Sequence, residues 1–174
     1  MTRPTLMLFK GHPGTGKSTV AEAWRVRCSW PLLDKDDFKD VLLEAGMNDP
    51  RANDLSYELL WRAAGKLMGQ GHSVITVSPL SSRERFGAAR STGEQLGARV
   101  VVVECRLDED TWRQRLAQSP PDGKDHRIRS WPDIEAMLER SAGAWNYAIT
   151  DAEHIVLDTA LPMVKLLETL GRVL

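Results

Sequence analysis

Residues 11–18 read Gly-His-Pro-Gly-Thr-Gly-Lys-Ser, a full G-x-x-x-x-G-K-[ST] pattern. No other stretch constrains the fold as tightly, because the pattern works in only one setting. Gly11, Gly14 and Gly16 allow turns and close approaches that a Cβ would forbid. The backbone N–H groups freed in this way converge into a nest for phosphate oxygens. That nest needs a strand before it and a helix after it, so that a helix N-terminus faces the anion. Both are legible. Thr5–Lys10 is a short apolar run suited to a buried strand, and residues 18–27 place Val20, Ala23 and Trp24 on an apolar face with Arg27 polar. With ordinary glycine usage, a chain this long carries the pattern by chance well under ~1% of the time.

Strand and helix patterns continue to alternate along the chain. Residues 30–34 read as a second strand and 37–45 as a helix stopped by Gly46. A long helix begins at Asp49-Pro50 and keeps helical spacing through Leu55, Leu59, Leu60, Ala63, Ala64, Leu67 and Met68, up to Gly69. Residues 73–77 form a third strand, 82–96 a helix, and 98–104 a β-branched fourth strand of interior character. A short helix over 109–118 leads into the turn-rich, polar segment 119–129. Then follow a helix from about Pro132 to Ala144, a fifth strand over 154–157 and a last helix over 161–170. Such alternation implies a five-stranded parallel sheet with helices on both faces, in one domain spanning residues 1–174. Right-handed crossovers then put ligands at the carboxyl ends of the strands.

Composition narrows the partners. The chain carries 23 Lys and Arg against 24 Asp and Glu, a formal charge of −1. That balance argues against a general nucleic-acid or membrane surface, both of which want a basic face, and leaves room for local basic patches. No apolar run approaches the ~20 residues that span a bilayer, and the N-terminus shows no secretory signal. Cys28 and Cys105 are far apart and fit no metal or redox spacing. The expectation is a cytoplasmic protein that is a monomer or homodimer.

Two groups of residues carry chemistry. In the glycine loop, Lys17 is placed to reach the β- and γ-phosphates of a nucleoside triphosphate, and Ser18 to hold Mg²⁺. Gly11, Pro13, Gly14, Thr15, Gly16 and Thr19 complete the cradle. The second strand ends in Asp34-Lys-Asp-Asp-Phe-Lys-Asp40, four carboxylates and two lysines where the γ-phosphate would point. A phosphoryl transfer to a hydroxyl needs a carboxylate there to orient the hydroxyl and take its proton. The same acids also suit the cap and first turn of a helix. The two roles are compatible.

These two motifs, Gly11–Thr19 and Asp34–Lys39, resemble the kinase domain of polynucleotide kinase. More broadly they are similar to the small P-loop kinases that include zeta toxins, gluconate kinase and chloramphenicol phosphotransferase. The resemblance implies a three-layer, adenylate-kinase-like P-loop NTPase fold with a short lid at about 118–131. It implies that ATP or GTP donates a phosphate to a small hydroxyl-bearing substrate such as a metabolite, a nucleoside-like compound or an antibiotic. A polynucleotide end is the alternative. By the match Asp36 is the general base, and Lys39 takes the place of an acceptor-contacting arginine. Asp34 and Tyr57 then border the acceptor, and Thr159 packs the nucleotide base.

Two departures accompany the resemblance. The third strand of these kinases often ends in Asp, where this chain has Ser78, which would contact the substrate or a water of the metal shell. The lid arginines usually stand in an R-x-x-x-R run. Here Arg113 and Arg115 are followed by Ser119, which leaves Arg127 and Arg129 as replacements, with Arg127 as the catalytic candidate and Arg115 on the nucleotide. A guanidinium in a closing lid stabilises charge on the phosphoryl group and excludes water.

Other residues read as structural. Glu104 reads as a strand residue, His12 as neutral, and His72 and His154 as flanks of strands. His126 is a lid candidate for phosphate contact. Trp24, Trp61 and Trp112 fit helix cores, while Trp131 suits either core packing or a gate beside the lid. A GTPase switch is excluded, since neither an Asn-Lys-x-Asp nor an Asp-x-x-Gly motif occurs. An AAA+ motor would need more chain and an acidic Walker B pair. A degenerate kinase that binds nucleotide without turnover is the remaining rival.

Overall fold

The computed structural model of the protein describes residues 3–119 and 128–173. Strands are β1 (Thr5–Lys10), β2 (Leu32–Asp34), β3 (Val74–Val77), β4 (Arg99–Arg106) and β5 (Glu153–Asp158). Helices are α1 (Lys17–Cys28), α2 (Lys35–Glu44), α3 (Asp49–Gly69), α4 (Arg83–Gln95), α5 (Glu109–Gln118), α6 (Trp131–Ser141) and α7 (Met163–Gly171).

The five strands form one parallel sheet in the order β2-β3-β1-β4-β5. β1 is central, and Leu6 pairs with Val74 on one side and Val100 on the other. All six residues of β1 are buried, as a strand covered on both faces requires. β5 closes one edge, and its exposure alternates along its second half.

Strand side chains alternate between the two faces and so divide the core. Met7 and Phe9 join Val101 and Val103 beneath α1 and α7, against Val20, Ala21, Trp24, Leu166 and Leu170. Leu6, Leu8 and Val102 face the other way, against Tyr57, Leu60, Trp61 and Ala64 of α3 and Phe86 and Ala89 of α4. Helix α4 lies close enough that a Cβ on Gly93 would stand 2.6 Å from Val100 Cγ2. A third, smaller cluster joins Trp112 and Leu116 of α5 to Ile134 of α6.

Boundaries shift by one to three residues from the sequence reading, and three of the shifts have a clear local reason. Helix α2 starts at Lys35 instead of Asp37, because Asp34 is its cap: the Asp34 carboxylate accepts from Asp36 N at 2.9 Å. The second strand is correspondingly short, Leu32–Asp34. Helix α6 stops at Ser141, where Ala142 turns left-handed at φ 45° and its N–H donates to the Glu139 carbonyl. Among the described residues, no helix is long and apolar enough to cross a membrane.

The topology delivers chemistry to one end of the sheet. The carboxyl ends of β1, β2, β4 and β5 lead into the glycine loop, Asp34, Leu107 and Thr159, all on the same side.

Candidate functional site

The glycine loop takes the backbone its sequence requires. Gly14 and Gly16 have φ 78° and 87°. A Cβ on Gly11 would stand 2.6 Å from the Cys105 carbonyl oxygen, and one on Gly14 would stand 2.7 Å from Leu116 Cδ2. Position 14 is thus confined by the backbone angle and by α5 together. Inside the loop, the His12 carbonyl accepts from Thr15 Oγ1 at 2.8 Å and from Lys17 Nζ at 2.9 Å. Loss of water around the Lys17 ammonium lowers its pKa from the ordinary lysine value. Gly16 caps α1 with no side-chain hydrogen bond, which leaves the first-turn N–H groups of α1 free for an anion.

Helix α5 clamps the loop from outside. Trp112 Nε1 donates to the Pro13 carbonyl at 2.7 Å. The His12 ring lies between Trp112, at 5.2 Å, and Trp145, at 4.2 Å. Burial, together with the Lys10 and Lys17 ammoniums, holds His12 down at about 4, so it is neutral.

At the end of β2, Ser18 Oγ donates to Asp34 Oδ2 at 3.1 Å. Burial raises the Asp34 pKa, opposed by the hydrogen bonds it accepts from Asp36 N and Ser18. A hydroxyl and a carboxylate this close offer the hard oxygen donors that Mg²⁺ takes, with water and phosphate completing its shell. These residues therefore fit the metal that the loop motif implies.

Next on α2, Asp36 Oδ1 pairs with the Lys35 ammonium at 2.8 Å. Lys35 is 3% exposed, lies 3.2 Å from Asn53 Oδ1 and rests over the Tyr57 ring. Lys39 is also buried and pairs with Asp49 at 2.8 Å. Burial pushes the Tyr57 phenol up to about 12. The 2%-exposed Ser78 hydroxyl faces that phenol without good hydrogen-bond geometry. Its neighbours Pro79 and Ser81 line the adjoining cavity.

Two cavities meet at the loop. One, of about 600 Å³, is lined by Gly16, Thr19, Arg115, Thr159, Leu161 and Met163 among others. In its wall Arg115 donates to the Thr159 carbonyl at 2.6 Å, and Thr159 Oγ1 donates to the Thr15 carbonyl at 2.7 Å. The other, of about 400 Å³, is lined by Lys35, Asp36, Lys39, Asn53, Tyr57 and Arg129 among others. Gly14, Lys17, Ser18 and Ser119 belong to both linings. Arg127 and His126 lie outside the described residues.

Some contacts at the site have no motif to reveal them. Asn53 looks like an ordinary helix residue in the sequence, and nothing there shows that it meets Lys35. Glu104, read there as a plain strand residue, accepts from Lys10 at 2.9 Å, pairs with Arg106 at 3.2 Å and contacts His154 Nε2 at 2.8 Å. Burial works to raise its pKa, but the Lys10 and Arg106 hydrogen bonds outweigh burial and hold it near 2. Trp131 packs edge-on against Trp112 and under Arg113, as part of the small core.

Solved structures share this fold. A protein from Chloroflexus aurantiacus, named only as a candidate kinase, superposes with a TM-score of 0.80 at 24% identity, covering 99% of this chain and 100% of that one. A gluconokinase from Sinorhizobium meliloti gives a TM-score of 0.64 at 18% identity, covering 99% and 95%. A shikimate kinase from Bacteroides thetaiotaomicron gives 0.63 at 12%, covering 97% of each. Among curated proteins, an uncharacterized protein of Mycobacterium tuberculosis (strain ATCC 25618 / H37Rv) is 27% identical over 169 residues, which is 90% of this chain and 32% of that protein. An uncharacterized protein of Mycobacterium bovis matches to the same extent. The chain thus spans about a third of the length of these relatives. The architecture is a kinase-like P-loop NTPase fold similar to that of small-molecule kinases. The glycine loop, the Asp34–Lys39 segment and helices α1 to α6 all fall within residues 6–143, which match the AAA domain family AAA_33, and the chain belongs to that family.

Proposed function

We propose that the protein is a nucleoside-triphosphate-dependent kinase that moves the γ-phosphate to a hydroxyl of a small molecule. One observation carries the reading. Two separate cavities share Gly14, Lys17, Ser18 and Ser119, and Asp36 stands in only one of them. A donor in the first cavity and an acceptor in the second would meet across Lys17.

The chemistry divides accordingly. The donor enters the 600 Å³ cavity with its phosphates on the loop and its base toward Arg115, Thr159 and Met163. Lys17 leaves the His12 carbonyl for the phosphate oxygens, a stronger partner because it is charged. Ser18 and Asp34 hold Mg²⁺, which when bound neutralises charge on the phosphates. The acceptor hydroxyl lies beside Asp36, and its oxygen forms the new bond to the γ-phosphorus. The bond from that phosphorus to the bridging oxygen breaks, the nucleoside diphosphate leaves, and the hydroxyl proton passes to the Asp36 carboxylate. Lys35 keeps that carboxylate in place. Arg127, the catalytic candidate from the sequence, and Arg129, in the acceptor wall, are the guanidiniums assigned to the transferring group. ATP or GTP serves as donor, and a metabolite, nucleoside-like compound or antibiotic as acceptor.

The test is phosphate transfer by the purified chain with Mg²⁺, ATP or GTP and a panel of hydroxyl compounds. The Asp36→Asn variant should keep nucleotide affinity and lose at least a hundredfold in transfer rate. Undiminished transfer would remove Asp36 as the base. Nucleotide binding without transfer to any compound would favour a binding module.

A further inference from the structure

A third cavity, of about 350 Å³, lies behind the acceptor space. Trp112, Trp131 and Leu138 give it an apolar wall, and Lys10, Glu104, Arg106 and Asn146 line the remainder. Trp145 is the only described residue that lines both this cavity and the 400 Å³ acceptor cavity. Its side chain is a partition between them.

The partition is held firmly. Trp145 is 7% exposed, its ring lies 4.2 Å from the His12 ring, and its carbonyl accepts from Lys10 Nζ at 3.3 Å. Ala142 and Gly143, both left-handed at φ 45° and 80°, turn the chain sharply just after α6 and carry residue 145 back toward the loop. An indole is the largest side chain a position can hold, so it fills space that any smaller residue would leave open. A rigid wall in a pocket limits the length of what enters, and removing it discriminates by size.

We propose that Trp145 sets the upper size of the acceptor, by closing the acceptor cavity against the third one. The assignment rests on the reading of the 400 Å³ cavity as the acceptor's. With a smaller residue at 145, the two spaces become continuous and a bulkier hydroxyl compound can extend past the loop toward Trp131. Tyr57 and Met137 also border the acceptor cavity, but neither lines the third, so shortening them opens no such passage.

The experiment compares the full chain with its Trp145→Ala and Trp145→Leu variants. Each is assayed with Mg²⁺ and the donor nucleotide against hydroxyl compounds graded by size, from glycerol through hexoses and nucleosides to disaccharides. At least one variant should phosphorylate a compound larger than any the parent accepts, with kcat/KM for it raised more than tenfold. Both should show a higher KM for the smallest acceptor the parent uses. Leucine keeps part of the apolar bulk and covers the case in which alanine fails to fold. Variants that transfer phosphate with an unchanged size limit overturn the assignment and leave the kinase reading intact. A parent chain that binds nucleotide and phosphorylates nothing in the series overturns the kinase reading, and this assignment falls with it.

Discussion

Ser18 Oγ donates to Asp34 Oδ2 at 3.1 Å, and the other oxygen of the same carboxylate accepts from Asp36 N at 2.9 Å. Asp34 therefore ties the glycine loop to the first turn of α2, the turn that carries Asp36. Replacing it removes a helix cap and the carboxylate proposed to hold magnesium at once. Asp34→Ala should lower folding stability by about 1 kcal/mol, measured by urea unfolding. It should also raise the Mg²⁺ concentration needed for half-maximal transfer. Asp34→Asn keeps the cap and should separate the effects, restoring stability without restoring the metal response.

Arg115 and Thr159 build the wall expected to face the base. Arg115 donates from Nη2 to the Thr159 carbonyl at 2.6 Å and from Nη1 to Thr159 Oγ1 at 3.3 Å. Arg115→Met keeps the stem and loses both bonds. The expected result is roughly a tenfold rise in KM for the nucleotide, the worth of about one hydrogen bond to a charged group, with little change in acceptor KM. A rise in acceptor KM of the same size would move Arg115 to the other cavity.

Trp112 acts on the loop through one bond, from Nε1 to the Pro13 carbonyl at 2.7 Å. Trp112→Phe retains most of the packing against Leu116 and Ile134 and deletes the donor. The Pro13 carbonyl is then without this partner, at a cost of about 1–2 kcal/mol. Nucleotide affinity should fall while the acceptor cavity, which Trp112 does not line, keeps its selectivity. Titrating nucleotide by calorimetry reads the first effect, and the acceptor panel reads the second.

His12 and Glu104 both make stability fall as pH falls, while Asp34, whose pKa burial raises, acts the other way. His12 has its folded pKa lowered to about 4 by burial and the neighbouring lysines, so the unfolded chain binds its proton first. Its contribution is complete above ~6.5 and is lost as pH falls from there through 4. Glu104, held near 2, contributes fully above ~4.5 and loses that contribution as pH falls toward 2. Acid unfolding should thus begin below neutrality and steepen below ~4.5. His12→Gln should flatten the upper part of the curve of stability against pH. Glu104→Gln strands the buried Lys10 and should cost about 3 kcal/mol near pH 7. A Glu104→Gln variant as stable as the parent at neutral pH would show that Lys10 finds another partner.

The glycine loop was legible in the sequence because its form is set by backbone. Glycines at 11, 14 and 16 are demanded by left-handed angles and by contacts with Cys105 and Leu116, so their spacing alone is informative. Strand and helix periods likewise placed every described element to within a few residues. The misses came where one residue decides a boundary, as the Asp34 side chain does for α2 and the Ala142 backbone does for α6. The acceptor walls were less legible for a different reason. Lys35, Asn53, Pro79, Arg129 and Trp145 come from five separate stretches and converge only through the fold. Glu104 lies in a strand as its sequence indicates, but its partners Lys10 and His154 sit on neighbouring strands, a relation set by strand register and invisible along the chain.

The four described residues common to the two cavity linings form a narrow frontier, and the rest of each lining is its own. Helices α2, α3 and α6 furnish only the cavity proposed for the acceptor, while the segment from Thr159 to Leu166 furnishes only the one proposed for the donor. A library that randomised Asn53, Tyr57 and Met137 would vary one lining while the residues of the other stay in place, which makes this scaffold modular in the engineer's sense of the word.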